Sequence, residues 1–383
     1  MKSICGVEGV RAAGIKEGKF GLTLIEAAGT AAGVFTSNLV RAPPISLMED
    51  RIRKGRLEAV IANSGCANAF TGERGYQDAV HMGDICGEVL GIDPNAIGVA
   101  STGVIGRYLD LPLIERQCKK IAPVLERTEQ AETDAARAIM TTDLTEKHAL
   151  VTREDFTVGG ITKGSGMIAP NMGTMLAFLY TDAEITARNL KSALKKATRR
   201  TFNQVVVDGD MSTNDIALCT STGLAGKIKL GEFGEALEEC CRSLAIQIAM
   251  DGEGATKLIE VFVKGAPSEE DAARVARTVT SSPLVKTAVY GEDPNWGRVI
   301  AAAGRAGVHF DPGKTDLLIS DGAAVIALVT AGRIVVDLAA AKKAMHGKKV
   351  MFQLDLHAGN GMATAWGCDL TEKYVEINGR YTT

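Results

Sequence analysis

The sequence predicts a mixed α+β fold, and three observations carry that expectation. Short apolar runs broken by glycine recur along the chain (LTLIEA, AAGVFTSN, LEAVIANSG, IGVASTGVIG, MLAFLY), the pattern of buried strands. Between them lie stretches with helical spacing of apolar residues, at 76–91, 111–125, 185–202 and 233–250. The 383 residues, 46% of them hydrophobic, suffice for two domains or for one large domain with an appended one. Only 5% are aromatic, so Ala, Val, Leu and Ile must fill the core.

A net charge of -3 argues against a general nucleic-acid binder. No apolar run reaches the ~20 residues that span a bilayer, and MKSICGVEGVRAAG has no apolar segment of a signal peptide. A cytoplasmic enzyme without membrane or nucleic-acid partners is therefore the expectation. The eight cysteines form no CxxC pair and the five histidines are dispersed, so no metal site is expected.

Residues 20–48 read as strands ending at Pro43-Pro44, and LEAVIANSG at 57–65 as a further strand opening into a polar loop. In 76–91, Val80, Ile85 and Leu90 give a helix that Gly91 stops. IGVASTGVIG, 97–106, is a strand whose end carries Thr102, Gly103 and Gly106; such a backbone can aim successive N–H groups at one point, as in an oxyanion hole, or simply turn. Helices follow at 111–125 and 131–140, the second running into Thr141-Thr142-Asp143. In ITARNLKSALKKATRRTF the apolar face (Leu190, Ala193, Leu194, Ala197) is core and the Lys/Arg face is solvated. NQVVVDGDMSTND is a strand entering an acidic loop with Asp208, Asp210 and Asp215, whose spacing does not fit a calcium loop.

The 233–250 helix ends at Asp251-Gly252-Glu253-Gly254, leaving Glu253 as a candidate to hold a cationic amine. Ser268 and the acids after it start a helix over 268–282. A second, smaller α/β domain is expected over 281–383 after a first domain of 1–280, with short β-rich runs DLLIS, AVIAL, IVVDL and MFQLDLHAG. Tyr374, Val375 and Ile377 alternate as in a strand that ties down the terminus. GGITKGS fails as a phosphate loop, and no GxGxxG follows a strand into a helix, so no nucleotide cofactor is expected.

Residues 163–182, KGSGMIAPNMGTMLAFLYTD, stand apart. Flexible Gly173 precedes Thr174, which sits at the threshold of the apolar run from Met175 to Tyr180. One reading is a loop entering a core strand. The other is self-cleavage before Thr174, which would leave a residue whose own α-amine can take the hydroxyl proton.

With these motifs together, the chain resembles the glutamate N-acetyltransferase (ornithine acetyltransferase) family of arginine biosynthesis. The resemblance rests on AGVFTSN, NSGCANAFTG, STGVIG, TTD, KGSGMIAPNMGTML, VDGDMSTND, DGEGATK, SPLVKTAVYGEDPNWGR, AWGCDLT and INGRYTT, in that order over nearly the whole chain. It implies a layered αββα-type sandwich shared with self-processing aminopeptidases, and cleavage between Gly173 and Thr174 into an α chain of 1–173 and a β chain of 174–383. It further implies Thr174 as nucleophile, Thr102 and Gly103 as oxyanion hole, and Thr142, Lys163, Thr174, Glu253, Asn378 and Thr383 as substrate contacts. The implied reaction moves acetyl from N2-acetyl-L-ornithine to L-glutamate without a cofactor, acetyl-CoA being a second donor in some members, in an α2β2 heterotetramer. A self-processing aminopeptidase or amidase, with water as acceptor, is the neighbouring alternative; an uncleaved binding protein is the alternative of another class. Gly173 stands where the family usually has Ala, Leu144 where a Thr is usual, and Cys66 where an Asn is usual. Cys66 would either alter handling of the acyl donor or pack.

Overall fold

The computed structural model describes residues 1–169 and 175–380. The chain opens with β1 (Arg11–Glu17), β2 (Phe20–Phe35), α1 (Pro43–Arg51), β3 (Arg56–Cys66), α2 (Gly72–Leu90) and β4 (Ile97–Val104). It continues through α3 (Leu111–Ile121), α4 (Glu129–Ile139), β5 (Lys147–Thr152), β6 (Thr157–Lys163), β7 (Leu176–Ala183), α5 (Ala187–Arg200), β8 (Val205–Val206) and β9 (Ile216–Gly226). Then come α6 (Leu230–Met250), β10 (Leu258–Ala266), α7 (Glu269–Thr280), α8 (Pro283–Tyr290), α9 (Trp296–Gly304), β11 (Asp316–Ser320) and β12 (Val325–Thr330). The last are β13 (Arg333–Ile334), α10 (Leu338–Ala344), β14 (Lys349–Asp355), β15 (Gly361–Cys368) and α11 (Glu372–Arg380).

The strands form two mixed sheets. The first runs β4-β3-β2-β9-β7-β6-β5, with β1 paired to β2. Long β2 joins its two halves: Gly21–Thr30 pairs with β3, and Thr30–Phe35 pairs with β9. Parallel β3 and β4 need a crossover, and α2 supplies it. The second sheet runs β13-β12-β11-β14-β10-β15-β8, so it draws on residues on both sides of position 281.

Helices layer against these sheets, as the α+β expectation requires. Along β7, Leu176, Phe178 and Tyr180 join one apolar cluster with β1–β4 and α1–α4. Ala177 and Leu179, on the opposite face of the same strand, join a second cluster with α5 and α6. A third cluster lies between the second sheet and α7–α10. Small aliphatic residues dominate all three, as the low aromatic content demands. Burial on both faces explains why β7 reads as a continuous apolar run with no alternation.

Local signals explain most boundaries. In α5, Leu190, Leu194 and Ala197 are buried while the Lys and Arg face is not, and Thr186 caps the first turn. Ser268 caps α7 by accepting from Asp271 N at 3.1 Å, with Glu269, Glu270 and Asp271 in the first turn as expected.

Three sequence expectations need correction. Pro43 and Pro44 do not close a strand; they open α1, where a missing N–H is harmless. Of IVVDL only Ile334 is in a strand, and Asp337 instead caps α10 through Ala339 and Ala340 N–H. The terminal alternation of Tyr374, Val375 and Ile377 is helical, in α11. Among the described residues no strand pairs with this segment, so a helix, which satisfies its own backbone, wins; Glu376 reinforces it by pairing with Lys373 at 2.9 Å and Arg380 at 2.8 Å.

Candidate active site

β6 ends at Lys163, whose side chain is only 2% exposed. Its Nζ donates to Thr141 Oγ1 at 2.8 Å and lies 3.8 Å from Asp143 Oδ2. Asp143 Oδ1 accepts from Gly164 N at 2.6 Å and from Lys147 Nζ at 2.8 Å. Lys147 Nζ reaches Asp251 Oδ2 at 2.6 Å, and Asp251 also accepts from the Leu144 and Thr145 amides. Two lysines and two aspartates thus interlock in the interior, where charges persist only when paired. Burial alone would push the Asp143 carboxyl up, but Lys163 and Lys147 outweigh it and hold the group well below the usual carboxylate range. Burial lowers the Lys163 pKa although Asp143 pulls it the other way.

Beyond Lys163 the chain turns through Gly164–Gly166. Ser165 Oγ lies 3.0 Å from Thr142 Oγ1, and Ser165 O accepts from Glu253 N at 2.9 Å. The half-buried Glu253 side chain then covers Gly166, where a Cβ would fall 2.4 Å from the carboxyl carbon. From α11, Asn378 Nδ2 donates to Glu253 Oε2 at 2.7 Å. Thr142, Lys163, Glu253 and Asn378 are therefore linked around one turn. Gly173, Thr174 and Thr383 lie outside the described residues.

Thr102 and Gly103 end β4 in parallel register with Ser64 and Gly65. Gly103 has φ +131°, and a Cβ there would sit 2.4 Å from the Gly65 carbonyl carbon, so only glycine fits. Asn214 Nδ2 binds Ser101 O at 2.9 Å and Ala67 O at 2.6 Å, tying the ends of β3 and β4 together. Lys16, on β1, spans this strand end and the Thr141 turn: its Nζ donates to Ser64 Oγ at 2.8 Å and to Met140 O.

Sequence reasoning passed over several of these residues. It read Asp208 and Asp215 as one polar loop, but they hold different chain segments. Asp208 accepts from Met167 N at 2.6 Å and Ile168 N at 3.0 Å, whereas Asp215 Oδ1 accepts from Met175 N at 2.9 Å. Complete burial drives the Asp215 carboxyl well above its usual range, against the opposing pull of the Met175 amide and Lys163. Lys147 and Lys16 gave no motif at all. The Asp143 of TTD and the Asp251 of DGEG did carry a signal, as acids beside residues already singled out.

Two departures from the family pattern resolve simply. Cys66 is buried, with Sγ 3.2 Å from Arg107 O and 3.4 Å from Tyr108 O, so it packs; burial raises its thiol pKa. Leu144 is 82% exposed, and its site contribution is the amide bound to Asp251. Among the described residues, Asp316, Asp355 and His357 could together hold a metal ion, but they already pair with one another and with Lys264, 3.2 Å from Asp355. An open cavity of about 640 Å³ between α5 and α6 is lined by charges that neutralise each other, such as Arg153 with Glu239 and Arg200 with Glu238.

Fold and site define a layered α+β protein whose strand ends and loops converge on a charged, partly buried centre. The chain belongs to the ArgJ family, whose model matches residues 7–383. It is 51% identical over 389 residues to a glutamate N-acetyltransferase of Methanosarcina mazei, covering 99% of this chain and 98% of that one. It is 50% identical over 365 residues to the arginine biosynthesis bifunctional protein ArgJ of Symbiobacterium thermophilum, covering 92% and 89%. The crystal structure of the arginine biosynthesis bifunctional protein ArgJ from Bacillus halodurans matches with a TM-score of 0.50 at 42% identity, over 52% of this chain and 96% of that chain.

Proposed function

We propose that this protein is a self-processing N-acetyltransferase that moves the acetyl group of N2-acetyl-L-ornithine to L-glutamate, within arginine biosynthesis. The observation that carries the reading is the placement of a cation and an anion, Lys163 and Glu253, at the two ends of one short turn. Lys163 suits the α-carboxylate common to both amino acids, and Glu253, steadied by Asn378, suits an ammonium group. The names of the relatives support the same activity, and bifunctional relatives support acetyl-CoA as a second acetyl donor.

In the proposed maturation the Thr174 hydroxyl attacks the Gly173 carbonyl. The peptide C–N bond breaks, which frees the Thr174 amine, and water hydrolyses the resulting ester to release the Gly173 carboxylate and restore the hydroxyl. With an ordinary pKa of roughly 8, that amine takes the hydroxyl proton in the next step. The hydroxyl then attacks the acetyl carbonyl of acetylornithine, and the proton passes to the departing ornithine amine. The glutamate α-amine attacks the acetyl-Thr174 ester, releasing N-acetylglutamate and restoring the hydroxyl. Thr102 and Gly103 would stabilise the oxyanion of both tetrahedral intermediates. Thr142 and Thr383 complete the proposed contacts, and no cofactor is required.

The mature protein would comprise chains of 1–173 and 174–383 in a cytoplasmic α2β2 heterotetramer, with a second domain from 281 whose tail reaches the site. The contact of Asn378 with Glu253 supports that last point. The solved Bacillus halodurans chain, matched over 96% of its length yet covering 52% of this one, supports a two-chain mature form. Among the described residues no helix is long and apolar enough to cross a membrane. The test is Thr174→Ala against wild type, assaying N-acetylglutamate formation from acetylornithine and glutamate. We expect transfer by wild type and none by the variant; release of acetate in place of transfer would assign an amidase instead.

A further inference from the structure

We propose that Lys16 is a specificity-determining residue of this site, a second cation that receives the side-chain carboxylate of the acceptor amino acid. The inference rests on the acetyl-transfer reading above. Its first support is position. The two groups that hold the Lys16 ammonium belong to residues beside the site: Ser64 is the register partner of Thr102, and Met140 precedes Thr141, the hydroxyl that accepts from Lys163.

The second support is the chemistry of its partners. An ammonium has three donors, and those given to protein here go to a hydroxyl and a carbonyl, both neutral. Among the described residues no carboxylate lies in ion-pair reach of Lys16. The nearby Asp143 is already shared between Lys147 and Lys163. Lys16 is open to solvent by surface area, yet it is surrounded closely enough that crowding by protein, and secondarily Lys163, lowers its pKa to about 8. An accessible cation held by neutral partners and repelled by a second cation favours an anionic ligand.

The third support is what the two substrates require. Donor and acceptor share an α-carboxylate, but their side chains carry opposite charge. Glu253 can meet the ammonium of ornithine. Of the lysines bound at the Thr141–Asp143 turn, Lys147 pairs with Asp143 and Asp251 and Lys163 with Asp143, which leaves Lys16 for the second carboxylate of glutamate.

The experiment compares glutamate with glutamine, its neutral counterpart, as acceptor from acetylornithine. We expect Lys16→Met to lower the glutamate-to-glutamine ratio of kcat/KM by about tenfold or more, chiefly through KM for glutamate. Lys16→Arg, which keeps the charge, should retain most of the preference. If Met lowers the yield of folded protein, Lys16→Gln serves the same comparison while keeping a donor for Ser64 and Met140. Equal losses with both acceptors, leaving the ratio within about twofold, would overturn the proposal and make Lys16 a brace between two loops. A wild type that forms no N-acetylglutamate would instead sink the acetyl-transfer reading itself, so the two failures are distinct.

Discussion

Lys147→Met removes the keystone of the buried ion network while nearly preserving side-chain length. In the wild type the Lys147 ammonium, 1% exposed, holds Asp143 Oδ1 at 2.8 Å, Asp251 Oδ2 at 2.6 Å and Thr145 O at 3.1 Å. Without it, among the described residues Asp143 keeps Lys163, 3.8 Å away, as its one ion-pair partner, and Asp251 keeps the Leu144 and Thr145 amides. Breaking a buried pair by removing one partner typically destabilises by about 3–5 kcal/mol, because the remaining charge stays buried. For a chain of this size that corresponds to a fall in Tm of about 4–6 °C. Adding Asp251→Asn to the variant removes one stranded charge and should recover part of the loss. Differential scanning calorimetry of the three proteins measures both effects. A Lys147→Met variant melting within about 2 °C of wild type would refute the view that this network is one interdependent unit.

Two further outcomes follow from the same site. Gly166→Ala sets a methyl group 2.4 Å from the Glu253 carboxyl carbon, and the carboxylate, as the free end of its side chain, moves aside. KM for acetylornithine should rise about tenfold while calorimetry shows a nearly unchanged Tm; an unchanged KM would remove Glu253 from substrate binding. Asp215→Asn keeps an oxygen for the Met175 amide and removes an acid whose folded pKa is raised by burial. Such an acid favours the fold fully below the unfolded carboxyl pKa of about 3.9, and its contribution is lost as pH rises through the folded value. The Asn variant should therefore lose less stability than wild type as pH rises from 4 toward neutrality. Parallel Tm-against-pH curves would contradict this.

The fold was legible wherever burial leaves a periodic mark. The spacing in α5, the Ser268 cap of α7 and the uninterrupted apolar run of β7 each state their structure locally. The terminal segment misled because Tyr374, Val375 and Ile377 alternate as well as any strand, while the absence of a pairing partner is a tertiary fact. The candidate site divided in the same way. Lys163 and Asn378, implied by the family resemblance, and Glu253, singled out between two glycines, lie together around one turn. Lys147 and Lys16 were invisible because their partners lie far along the chain, Asp251 for one and Ser64 and Met140 for the other. Asp208 and Asp215 looked equivalent in sequence, and only tertiary structure gives each its own amides to hold.

The proposed activity turns on Thr174 as an acetyl carrier made by self-cleavage. Intact mass spectrometry of purified protein, before and after brief mixing with acetylornithine, tests both parts at once. We expect two chains divided between Gly173 and Thr174, and a gain of one acetyl group confined to the chain that begins at Thr174 and reversed by glutamate. A single uncut polypeptide, or an acetyl group on any other residue, would contradict it.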